Sequence, residues 1–115
     1  LLHQAENQLK KEETIPAFVL ADQTLELFLK ELCMRLGCDD DTISHYREKL
    51  FRTWGMTEYL KFTERMGIID REEKANFYRF HEWRNSVQHK ALEPSVRLVR
   101  KVIDEIEAFI DRYTE

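Results

Sequence analysis

Between Phe80 and Lys90 the chain reads Phe80-His81-Glu82-Trp83-Arg84-Asn85-Ser86-Val87-Gln88-His89-Lys90, which gathers two imidazoles, a guanidinium and two carboxamides into one short stretch. Imidazole moves protons near neutral pH, and a guanidinium binds phosphate oxygens and offsets charge that builds on them in a transition state. Together they suit acid–base chemistry on a phosphate ester. A metal site is the poorer reading. His81-Glu82 begins like a zincin motif, but the second ligand position holds Asn85, and His81 and His89 stand two helical turns apart. The plain alternative is a solvated helix face on which His and Arg do nothing.

At roughly 100° per residue, helical geometry sorts these side chains. Phe77, Phe80, Trp83 and Val87 share an apolar side, and His81, Asn85 and His89 step by four along a polar side. Arg84 falls at the border, where its stem can rest on the core while its head enters a cleft. Arg84 and His89 are five residues apart, so on one ideal helix they diverge by roughly 140°. They converge only if the helix ends near Gln88 or if another chain completes the site.

The rest of the chain supplies helices to hold this segment. Leu2, Ala5 and Leu9 mark a modest amphipathic helix over residues 2–12, broken at Glu12-Glu13-Thr14-Ile15-Pro16. Thr14 as N-cap and Pro16 in the first turn then start a second helix that runs to about Leu36. Its stripe is Phe18, Ala21, Leu25, Phe28, Leu32 and Leu36, closed by Gly37. A single helix kinked at Pro16 is the alternative. The acidic loop from Cys38 to Thr42 lacks the later ligands of a calcium loop and reads as the start of a third helix through Ile43, Tyr46, Leu50, Phe51 and Trp54. Gly55 interrupts it, and Tyr59, Leu60, Phe62 and Met66 continue the pattern to Gly67. Asp70 and Glu73 form a capping box for the helix that carries Arg84. Pro94 starts a last helix lined by Val96, Val99, Ile103, Ile106, Phe109, Ile110 and Tyr113. With no strand signal, the expected fold is all-α: one domain over residues 1–115, an antiparallel bundle of four to five helices.

Arg84-Asn85-Ser86-Val87-Gln88-His89 resembles the R-x4-6-H signature of HEPN domains, with a polar residue directly after the Arg. The likeness extends to the approach Met66-Gly67-Ile68-Ile69-Asp70, to the Pro94 turn into a last amphipathic helix, and to Ala21-Asp22-Gln23-Thr24-Leu25-Glu26-Leu27-Phe28-Leu29-Lys30, which is similar to the family's second helix. It implies an HEPN-like helical bundle and a metal-independent endoribonuclease without a cofactor, acting as a homodimer in a toxin or defence role. It also implies a minimal nucleotidyltransferase antitoxin or a fused domain as a partner. The catalytic set it implies is Arg84, Asn85 and His89. Its other outcome is a non-catalytic RNA- or nucleotide-binding or protein-interaction module, as in members that have lost the motif. Outer RNA contacts are assigned to His81, Gln88, Lys90, Arg79 and Arg97.

The 115 residues carry 18 basic and 22 acidic side chains, a net of −4, which excludes a generally adhesive nucleic-acid binder. The distribution is uneven. Residues 71–101 hold 8 basic and 4 acidic groups, net +4, while residues 1–43 hold 4 and 9, and residues 102–115 hold 1 and 5. The basic stretch is the one that bears Arg84, Asn85 and His89, so phosphate attraction is local. With 43% hydrophobic residues the chain can build a core, and 3 Gly and 2 Pro leave turn chemistry for few connections. Cys33 and Cys38 cannot make a four-ligand zinc site, and Cys33 reads as a buried thiol. No run approaches ~18 apolar residues, so no membrane span is expected. The first residue is Leu1 rather than Met, which fits either a piece of a longer protein or a chain without a disordered start; no signal peptide is visible, and a cytoplasmic setting is the expectation.

Overall fold

The computed structural model describes residues 2–44, 48–90 and 93–114, and the side chains of residues 88–90 lie outside the description. The chain is all-α. The helices are α1 (Leu2–Lys10), α2 (Thr14–Arg35), α3 (Met56–Arg65), α4 (Arg71–Lys90) and α5 (Val96–Tyr113), with a short 3-10 turn at Phe51–Thr53. Two compact units are formed, one from Leu1–Leu25 with Phe80–Glu115 and the other from Glu26–Arg79.

The first unit combines α1, the start of α2, the end of α4 and α5. Ala5 and Leu9 are the buried residues of α1, which packs on α5. Helix α5 has an apolar stripe of Val99, Val102, Ile103, Ile106 and Phe109, all buried, each worth about 1.5–3 kcal/mol when removed from water. Val96 is instead exposed, and Val102 takes a core place that the sequence pattern did not assign. Ser95 caps this helix by accepting from the Leu98 N–H at 3.1 Å, and Pro94 precedes the cap. α1 and α2 are separate helices. The chain turns at Lys11–Glu13, with Glu12 at φ 60°. The cap also differs from expectation: Thr14 is already helical, and Glu13 O accepts from the Ala17 N–H at 3.1 Å. Thr14 is buried, with its hydroxyl 3.5 Å from Glu93 Oε1.

In the second unit α2 ends in a Schellman turn. Gly37 sits at φ 103°, its N–H donates to Met34 O at 3.0 Å, and the Cys38 N–H donates to Cys33 O at 3.0 Å. The i, i+5 cysteine spacing belongs to this helix end, and both thiols are free and buried. The helix expected over Ile43 to Trp54 does not form. Asp39 Oδ1 accepts from the Asp41 N–H at 3.0 Å, and Thr42 Oγ1 accepts from the Asp39 N–H at 2.9 Å. These side chains compete with helical backbone bonds. Ile43 then bridges Leu50 in antiparallel fashion, the Ser44 N–H donates to Lys49 O at 2.8 Å, and Glu48 takes a φ of 54°. Ile43 is consequently exposed; the assignment of Tyr46 to that helix lies outside the described residues.

Phe51, Trp54, Tyr59 and Phe62 still cluster, with Phe51 and Trp54 centroids 5.0 Å apart and Trp54 and Phe62 5.7 Å apart. Gly55 begins α3, and its N–H donates to the buried Glu58 carboxylate at 3.0 Å. The capping box of α4 is present: the Glu73 N–H donates to Asp70 Oδ1 at 2.7 Å, and the Asp70 N–H donates to Glu73 Oε1 at 3.4 Å.

Candidate active site

Helix α4 buries Phe80 and Val87 and leaves His81, Arg84 and Asn85 half-buried. Its polar side is therefore not simply solvated. It meets Asp22 of α2, a carboxylate with no solvent exposure. All four residues belong to the first unit. Asp22 Oδ2 lies 3.0 Å from His81 Nδ1 and 3.2 Å from Arg84 Nε. A carboxylate oxygen accepts, so this contact is a hydrogen bond when His81 carries its hydrogen on Nδ1. Arg84 Nη1 donates to Asn85 Oδ1 at 2.8 Å.

The contact between Arg84 Nε and Asp22 is a charge contact rather than a hydrogen bond. Arg84 Nε and Asp22 Oδ1 are both buried and both lack a hydrogen-bond partner. The Arg84 side chain is 20% exposed. Its Nη2 makes no ion pair or hydrogen bond among the described residues. A guanidinium held on two sides is a preorganised donor for an anionic oxygen.

The other predicted positions are less closely gathered. The expectations for Gln88, His89 and Lys90 fall on side chains outside the described residues; the backbone there is helical, and α4 runs through Lys90. The proposed end of the helix near Gln88 is thus not found. Arg97 is exposed in the first turn of α5, and Arg79 is exposed in the second unit.

Asp22 is the residue that sequence reasoning missed. The signal was present: Phe18, Asp22, Leu25 and Leu29 follow one helical face, and an acid in that buried register demands a cationic or hydrogen-bonding partner. Among the described residues, no three His, Cys, Asp or Glu side chains converge as metal ligands, and no helix is long and apolar enough to cross a membrane.

The second unit contains a separate cavity of ≈ 380 Å³ against Trp54 and Phe62, with Lys61, Arg65 and Lys74 among its walls. Its acids are already engaged, Glu64 by Lys74 at 2.8 Å and Glu58 by Lys49 at 3.4 Å. It brings together none of the residues that the sequence marks for phosphate chemistry.

No family model, no curated protein and no solved structure matches this chain.

Proposed function

We propose that the protein is a metal-independent endoribonuclease of the HEPN type. In the reaction the RNA 2′-oxygen forms a bond to the adjacent phosphorus, and the bond from phosphorus to the 5′-oxygen breaks. The 2′-hydroxyl proton goes to a base and the leaving 5′-oxygen takes a proton from an acid, which leaves a 2′,3′-cyclic phosphate and a 5′-hydroxyl. Arg84 binds the phosphate and stabilises charge on the phosphorane, Asn85 orients the guanidinium, and His89 transfers the proton. The observation that carries this reading is Arg84, half-buried and anchored between Asp22 and Asn85.

The reading calls for a homodimer. One imidazole cannot readily act as base and acid on opposite sides of phosphorus. Positions 84 and 89 stand roughly 140° apart on α4, which continues through Lys90. A two-fold axis would bring the Arg84 of one protomer beside the His89 of its partner and supply two imidazoles to one cleft. A toxin or defence role, with a nucleotidyltransferase antitoxin or a fused domain as regulator, accompanies the same proposal.

The test is cleavage of RNA in the presence of EDTA, with Arg84→Ala and His89→Ala alongside. Wild type should cut RNA, spare DNA and yield cyclic phosphate ends, and both variants should lose at least a hundredfold in rate, the usual scale for a lost acid–base or oxyanion contact. Intact RNA with folded, dimeric wild type would reject the enzyme and favour a binding module.

A further inference from the structure

We infer that Asp22 is the positioning residue of this site, fixing the His81 ring and the Arg84 guanidinium together; the inference rests on the phosphate-directed reading of Arg84. Asp22 lies in the apolar register of α2 and is fully buried. An ionised carboxylate in such a place must be compensated. A buried guanidinium ordinarily compensates it with two parallel bonds, one to each carboxylate oxygen. That fork is not closed here. His81 Nδ1 and Arg84 Nε both approach Oδ2, at 3.0 and 3.2 Å, while Oδ1 has no partner and Nε is out of line for a hydrogen bond.

Two unsatisfied buried atoms therefore belong to the same ion pair. A purely structural pair would satisfy both by closing. Two other bonds hold it open: Asn85 draws Nη1 to its own oxygen at 2.8 Å, and His81 occupies Oδ2. The guanidinium is kept turned away from a closed fork, with its charge only partly neutralised. Asp22 thus aims Arg84 without consuming it, and Asp22 fixes the Nδ1–H tautomer of His81. In this arrangement His81 belongs to the orienting network rather than to the outer RNA contacts.

The test combines NMR of the His81 ring with kinetics of Asp22→Asn. In the wild type, above the pH at which His81 loses its charge, nitrogen shifts should report the Nδ1–H tautomer, with His81→Gln identifying the signal. In Asp22→Asn the preference of the neutral His81 ring for Nδ1–H should weaken, because the charged acceptor 3.0 Å from Nδ1 is gone. On RNA, Asp22→Asn should keep KM within about twofold and lose at least about tenfold in kcat, with the rate expressed per folded molecule as counted by circular dichroism, so that a loss of folded protein is not read as a loss of kcat. An Nε2–H tautomer in the wild type, which needs no variant to fold, would overturn the inference. So would an unchanged His81 tautomer ratio in Asp22→Asn, or kcat and KM unaltered in an active enzyme. If the tautomer and its change in Asp22→Asn are as stated while wild type leaves RNA intact, Asp22 remains the positioning residue and the ribonuclease reading fails.

Discussion

Removing the Arg84 side chain strands a buried negative charge. Asp22 is fully buried and its two neighbours are Arg84 and His81, both touching Oδ2. Breaking a buried ion pair by deleting one partner costs about 3–5 kcal/mol, because the survivor stays desolvated. Here the Arg84 contact is not a closed fork and Arg84 is 20% exposed, so the lower part of that range applies. The expected loss is about 3 kcal/mol. For a chain of this length about 4 °C accompanies each kcal/mol, so the melting temperature should fall by about 12 °C. Urea unfolding, read by circular dichroism, measures it. The double variant Asp22→Asn with Arg84→Ala should lose less than the sum of the single losses, since the stranded charge is gone. A loss below about 0.5 kcal/mol, typical of a surface site, or strict additivity in the double variant, would refute the reasoning.

Burial and the neighbouring Cys38 push the Cys33 thiol from 9.0 up to about 12, and burial with nearby acids pushes Tyr59 from 10.0 to about 12. Both groups hold their proton more tightly when folded, so their contribution is complete below the unfolded values and is lost as pH rises from 9 towards 12. Cys33→Ala should flatten that alkaline decline in urea-derived stability, and neither Cys33 nor Cys38 should react with iodoacetamide near pH 8 until the protein unfolds. Gly37 has open space around an added Cβ but a φ of 103°, so Gly37→Ala should cost about 1 kcal/mol through backbone strain alone, with Gly37→Asn costing less; thermal melts resolve the two.

Much of the helical frame was legible because periodicity and caps agreed. Helix α5 is an amphipathic stripe closed by Ser95, and α4 begins with the Asp70–Glu73 box written in its sequence. The segment from Ile43 to Trp54 misled for a physical reason. Its apolar residues have helical spacing, yet Asp39 and Thr42 bind nearby backbone and side-chain atoms, and Glu48 adopts a left-handed conformation that no spacing rule anticipates. The aromatic residues still reach a common cluster, because burial of Phe51 and Trp54 does not require a helix. Of the candidate site, Arg84 and Asn85 could be read from the motif, and the placement of Arg84 at the border of the apolar face agrees with its half-buried side chain. Asp22 was hidden by its distance along the chain. Pairing it with His81 and Arg84 requires knowing that α2 and α4 meet there, which the pattern of neither helix states.

That hidden acid changes the meaning of the charge balance. Counted along the sequence, residues 71–101 are basic by four charges, which suggests a site that attracts phosphate through excess cations. At the site itself, Asp22 cancels the formal charge of Arg84 when His81 is neutral, and the cluster becomes positive only when His81 is protonated. Attraction over the Debye length of about 10 Å comes from the segment, while the site contributes a direction. A guanidinium matched against a buried carboxylate draws phosphate weakly from afar, yet it is already aimed when phosphate arrives. Under the proposed chemistry this favours charge that develops on the phosphorane over charge already present on any RNA backbone, which is the discrimination that raises kcat rather than affinity. An overall acidic chain with a charge-compensated site is therefore consistent with a selective nuclease, and its net of −4 limits binding away from the site.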